Sequence, residues 1–199
     1  MDQVLSPAED DARRSRVLDG ALRVFLSYGY RRVTMDDIAR AAEMSRPALY
    51  LLFRNKADIY RAIGQRMFET SAQTVARLVN GSGPFGERLM TAIDQAMLEL
   101  MRQINESPHG AELLDLKNEL AAGMLEDWRS SVAAIFRSSI DQEAERSGVD
   151  LAARGLSAAG LADALLDNLE GMKTRVKDVK TQRLAARRMV RLIELAIAA

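Results

Sequence analysis

The sequence predicts an all-α fold, with a three-helix N-terminal domain followed by a six-helix bundle. Three observations lead there. Apolar residues recur at helical spacing in each segment between breaks. Prolines number four and β-branched alternation is scarce. The breaks themselves (Gly29, Gly81–Pro84, Ser107–Gly110 and Gly148) are Gly- and Pro-rich, as helix ends are.

Residues 1–11 carry acids and no apolar face and are expected to be a disordered tail. Helix 12–28 follows, with Leu18, Ala21, Leu22 and Phe25 on one face and Gly29 in the C′ position. In TMDDIARAAEMSRPALYLLFRNK (34–56), Thr34 is an N-cap and Asp37 completes a capping box. Met35, Ile38, Ala39 and Ala42 then share a face. Ser45 caps a second short helix, where Pro47 is tolerated because the first turn lacks intrahelical partners for its N–H groups. Leu49 and Phe53 form its buried stripe. Asn55 caps a long helix with Ile59, Ile63, Met67 and Phe68 inward. Helices at about 85–104, 111–120, 122–147, 157–176 and 181–197 complete the chain. The domain limits expected are 12–54 and 55–199.

The net charge of zero conceals an asymmetry. Residues 1–11 hold four acids and no base, whereas residues 12–56 hold ten Arg/Lys against four acids. A basic N-terminal block on a near-neutral body suits phosphate binding; a solvated charged face is the alternative. No cysteine means no disulfide framework and no thiolate metal site. The N-terminus has no apolar stretch of the secretory kind, and no window nears the 18 or so apolar residues of a membrane span. A cytoplasmic protein is expected.

Two short helices joined by a three-residue turn make a helix-turn-helix, whose second helix can enter a major groove of double-stranded DNA. The segment resembles the DNA-binding signature of the TetR family of bacterial transcriptional regulators. The resemblance rests on the helix SRVLDGALRVFLSYGY, Thr34, Asp37-Ile38-Ala39, Ala42, Ser45, Leu49-Tyr50, Phe53 and Asn55-Lys56, and covers roughly residues 13–63. Glu43 departs from it, standing where relatives often carry Gly. A turn residue there with positive φ costs a non-Gly residue about 1 kcal/mol.

The DNA-binding residues expected are Thr34, Ser45, Arg46, Pro47, Ala48, Tyr50 and Lys56. Arg46 can bond both acceptors of a guanine or else a phosphate, and Pro47 and Ala48 suit a thymine methyl. The resemblance implies a phosphate contact for Tyr50. Thr34, Ser45 and Lys56 are placed for phosphate too, with capping alone as the alternative for Thr34. Arg13 and Arg14 are either further contacts or a solvated arm.

So short a recognition helix implies a homodimer on a roughly palindromic operator. Leu161, Leu165, Leu169 and Met172 of one C-terminal helix, with Met189 and Ile193 of the other, are the expected dimer interface, unless both faces are intramolecular core. The resemblance also implies a small-molecule inducer in the bundle. Met97, Met101, Leu113, Leu116, Met124, Trp128 and Phe136 are the candidate ligand-binding residues, core filling being the alternative. His109, beside Glu112 and Asp115, is better read as a loop residue than a metal ligand. No Gly-rich phosphate loop or nucleophile–base set stands out, so neither enzyme activity, cofactor nor metal is expected. The function expected is a repressor released from DNA by a largely apolar ligand. The alternatives are a regulator or activator without an inducer, or a helical carrier or enzyme with a vestigial DNA head.

Overall fold

The computed structural model describes residues 7–113, 123–176 and 178–199. Among these there is no strand, as an all-α fold requires. The elements are α1 (Pro7–Tyr28), α2 (Met35–Ala41), α3 (Arg46–Leu52), α4 (Lys56–Val79) and α5 (Phe85–Ile93). A π turn (Asp94–Leu98) leads into α6 (Glu99–Glu106). Then come α7 (Met124–Arg146), a 3-10 turn (Ala152–Arg154), α8 (Ala158–Arg175) and α9 (Val179–Ala196).

The described residues form two compact units. The first runs up to Met67 and takes in residues from Gln103 to Met124; the second holds Phe68–Arg102 and Leu125–Ala199. This division differs from the boundary expected at residues 54 and 55. The physical reason is that α1–α3 alone leave their core open. Ile59 and Ile63 of α4 and Leu113 join Val17, Ala21, Phe25, Ile38 and Leu49 in one cluster. A fully buried side chain of this size stabilises by about 1.5–3 kcal/mol, so those three additions are substantial.

The expected tail is also corrected. Residues 7–11 are the first turn of α1, with Pro7 leading and Glu9 and Asp10 beside the helix N-terminus, where acids favour the dipole. Residues 1–6 lie outside the described residues. At the other end, Gly29 adopts φ 85° and donates its N–H to the Phe25 carbonyl, as a residue just past a helix does.

In the second unit, Leu89, Ile93, Phe136, Ile140, Leu165, Leu166 and Ile193 are fully buried in a core shared by α5, α7, α8 and α9. Two polar ties position it. Arg88 of α5 reaches the Val79 carbonyl at the end of α4 and pairs with Glu143 of α7 at 3.0 Å. Ser71 of α4 donates to the Ala96 carbonyl at 2.9 Å and accepts from the Trp128 indole at 3.2 Å. Ala96 sits in the π turn, where Ala96, Met97 and Leu98 are buried in succession. The expected helix 85–104 is therefore interrupted by one wide turn.

Candidate nucleic-acid interface

The geometry of the helix-turn-helix follows from its caps. The Asp37 N–H donates to Thr34 Oγ1 at 3.2 Å, while the Asp37 carboxylate accepts from the Thr34 N–H at 2.9 Å and from its hydroxyl at 2.6 Å. These bonds from Thr34 hold the Asp37 carboxyl below its ordinary pKa. Thr34 is thus a cap whose two donors are engaged. The turn after α2 is a Schellman motif: Glu43 N–H bonds to the Arg40 carbonyl and Met44 N–H to the Ala39 carbonyl. Glu43 has φ 54°, as the turn position demanded, and is the one positive-φ non-glycine residue among those described. Ser45 then caps α3, accepting from the Ala48 N–H at 3.3 Å.

Leu49 and Phe53 turn inward, which sends Arg46, Pro47, Tyr50 and Leu51 outward. Ala48 is half-buried. Leu51 is 85% exposed and was missed by sequence reasoning. The signal was present: in LYLLF, two residues on from an inward Leu49 is about 200° round the helix. Arg46 Nη1 lies 3.2 Å from Asp36 Oδ2, and its guanidinium carbon lies 5.6 Å from the centre of the Tyr50 ring.

Lys56 is corrected. Its ammonium donates to three backbone carbonyls, Tyr30 at 2.7 Å, Val33 at 2.9 Å and Arg31 at 3.3 Å, and lies 4.5 Å from the Tyr30 ring centre. An ammonium has three donors, so none remains for a phosphate. Desolvation lowers its pKa, and the Glu112 charge opposes that shift. From the other side, Glu112 Oε1 accepts the Arg31 N–H at 2.9 Å. The turn before Thr34 is thus held by a cation on its carbonyls and a carboxylate on an N–H. His109 Nδ1 stands 3.8 Å from Glu112, and no group of three metal-ligating side chains occurs among the described residues. Arg14 is no solvated arm: it donates to the Leu52 carbonyl at 3.2 Å and covers the Phe53 ring.

Of the seven candidate ligand residues, four lie in the two described cores. Met97, Trp128 and Phe136 lie in the core of the second unit, and Leu113 in that of the first. Met124 is half-buried at the start of α7, and its terminal methyl faces Gly64. The side chain of Met101, and Leu116 altogether, fall outside the described residues.

For four of the six expected dimer residues the structure gives the intramolecular alternative, while Leu161 and Met189 stay partly exposed. Leu165, Leu169, Met172 and Ile193 are buried in the subunit's own core, with Leu161 and Met189 packed against it. The large side chains of α8 face inward, so small and charged ones face out. The exposed apolar residues of α9 are Leu184, Leu192 and Leu195.

Residues 17–63 match the model of the bacterial regulatory proteins of the tetR family. Among curated relatives, the chain is 30% identical over 156 residues to a transcriptional repressor, Rv1474c, of Mycobacterium tuberculosis, covering 74% of this chain and 81% of the relative. It is 30% identical over 107 residues to the regulator TtgR of Pseudomonas putida, about half of each chain (51% and 51%). An activator, FasR of Mycolicibacterium smegmatis, is 33% identical over 84 residues, covering 42% of this chain and 38% of the relative. Among solved structures, the fatty acid degradation regulator FadR of Bacillus halodurans superposes with a TM-score of 0.64 at 16% identity, covering 94% of this chain and 96% of the other. A complex of SmeT with triclosan superposes at 0.60 and 19% identity, covering 90% of each chain. With the fold common to these structures and one curated relative matched along most of its length, the chain belongs to the TetR family and is a helix-turn-helix transcriptional regulator.

Proposed function

We propose that the protein is a cytoplasmic repressor that binds a roughly palindromic operator as a homodimer and is released by a small, largely apolar ligand. The observation that carries this reading is α3 itself. It offers Arg46, Pro47, Tyr50 and Leu51 to solvent while Leu49 and Phe53 anchor it. Arg46 and the apolar pair can reach base edges, and Tyr50 and the Ser45 hydroxyl can reach phosphates.

A seven-residue helix reads a few base pairs, so specificity needs a second copy. The outward faces of α8 and α9 fit one another. On α9, Leu184, Arg188, Arg191 and Leu195 are exposed at steps of four, three and four. On α8, Gly160, Ala164, Asp167 and Gly171 have the same steps and small side chains. Leucine and arginine of one copy fill the space that glycine and alanine leave on the other, and Asp167, which also pairs with Arg129 of its own subunit at 2.7 Å, supplies opposite charge.

For the ligand, support comes from the aromatic and thioether content of the second core, where Phe68 packs on Trp128 beside the Ser71 hydroxyl. A ligand there acts only through different affinities for the DNA-competent and released states. Helix α4 supplies Ile59 and Ile63 to one core and Val75 and Val79 to the other, which makes it the element to carry that difference.

The test is binding of the purified chain to DNA from upstream of its own coding region, with a scrambled competitor and a panel of lipophilic compounds. Two-fold symmetric protection that survives the competitor and is lost with one compound supports the whole reading. Protection that no compound relieves favours the inducer-free regulator.

A further inference from the structure

Arg46 has two ways to meet DNA, a guanine edge or a phosphate, and its surroundings choose between them. Asp36, in the first turn of α2, holds Arg46 Nη1 at 3.2 Å across the turn. Both side chains are about half exposed, at 58% for Arg46 and 52% for Asp36. An ion pair so open to water contributes little to folding stability, so its effect lies in where it leaves the guanidinium. Tyr50 limits the guanidinium on a second side, with its ring centre 5.6 Å away. One Nη1 hydrogen is engaged by Asp36, the Tyr50 side chain also hydrogen-bonds the guanidinium, and the other N–H groups of the planar fork remain for a base edge.

The charge of Asp36 matters as much as its geometry. A phosphate approaching Arg46 meets a carboxylate beside its target, and the pair as a whole is neutral. The O6 and N7 acceptors of guanine carry no net charge and suffer no such repulsion. A free arginine on the same helix would bind any backbone; a buttressed one is directed to a base.

We propose that Asp36 is a specificity-determining positioning residue that directs the Arg46 guanidinium to a guanine and denies it to phosphate. The inference rests on α3 being the DNA-reading helix. A carboxylate can also accept from the amino group of cytosine, and the experiment separates that role for Asp36 from the positioning one.

The experiment selects bound sequences from a randomised duplex pool with the full chain. It compares the unaltered protein with Asp36→Ala, Asp36→Asn and Arg46→Ala, and then titrates salt on non-specific DNA. Helical circular dichroism checks each fold, and Asp36→Asn keeps the shape and removes only the charge. The expected result is a guanine column in each half-site that Arg46→Ala flattens. Asp36→Ala should flatten that same column, lowering discrimination roughly tenfold. It should also steepen the log–log salt dependence of non-specific binding by about 1 per reading head, because the freed guanidinium takes a phosphate. Asp36→Asn should follow Asp36→Ala in salt slope and retain part of the column.

An Asp36→Ala protein with the guanine column intact overturns the proposal. So does one that loses a different column, since Asp36 then reads its own base. If the unaltered chain selects no sequence at all, the reading of α3 fails and the buttress falls with it.

Discussion

Gly20 of α1 and the Ala41 carbonyl of α2 meet backbone to backbone: a methyl group on Gly20 would stand 2.9 Å from both the carbon and the oxygen. No flexible side chain can move aside there. The same carbonyl takes a hydrogen bond from Arg23 at 2.9 Å, so α1 fixes the end of α2 at two points. Gly20→Ala should push α2 outward and cost roughly 1–3 kcal/mol, as overpacking does. Thermal unfolding measures it, and operator affinity should fall with it because α3 rides on α2.

Glu43 invites the opposite change. At φ 54° its side chain strains the Schellman turn, and glycine would not. Glu43→Gly is expected to stabilise the protein by about 0.5–1 kcal/mol in urea unfolding, which is the left-handed strain less the added entropy of the unfolded chain. Equal or lower stability would mean that the Glu43 side chain has favourable contacts that offset the strain.

Lys56→Met should separate structure from DNA contact. The variant keeps the stem and leaves the Tyr30, Arg31 and Val33 carbonyls without their donor, a loss of about 1.5–3 kcal/mol. Since the ammonium has no donor left for phosphate, the salt slope of DNA binding should not change. A slope smaller by about 1 would return Lys56 to the backbone contacts.

Tyr60 gives the fold an alkaline limit. Its hydroxyl donates to the Leu113 carbonyl at 2.6 Å, and burial, aided by Tyr30, pushes its pKa up to about 12. The folded state therefore holds a proton that the unfolded chain releases near pH 10. The stabilisation is complete below about pH 10 and is lost as pH rises toward 12. Discounted for partial exposure, it amounts to roughly 1–2 kcal/mol. Tyr60→Phe should be less stable at neutral pH, and the two curves should converge between about pH 10 and 12. Lys56, whose pKa burial lowers, shifts stability the other way in both proteins and cancels from the comparison.

The proposed dimer face is tested by Leu184→Glu with Leu195→Glu. Both side chains are about half exposed, so the subunit should keep its helix content while sedimentation reports a monomer. A dimer that persists would move the interface elsewhere.

What could be read from the sequence was what is local. Thr34 with Asp37, Ser45, Gly29 and the positive φ at Glu43 all concern bonds spanning a few residues, and each was legible. Lys56 was not, because its three carbonyls lie more than twenty residues back, and only folding gathers them. Nor was the inward face of α8. Leu165 and Leu169 alternate with Gly160 and Ala164 in a pattern that offers two plausible seams, and only packing decides which is buried. The π turn escaped because a single inserted residue shifts the periodicity without breaking it.

Residues 103–113 belong to the first unit, and Leu113 to its core, although residues 68–102 separate them in the chain from the rest of that unit. The reading head is thus not a continuous stretch that can be cut at a linker and joined to another sensor. A hybrid that takes only residues up to Met67 would arrive without Leu113, and the Arg31 N–H would lack the Glu112 carboxylate. Exchange of DNA specificity among such regulators, in the laboratory or by recombination, should succeed when both pieces travel together.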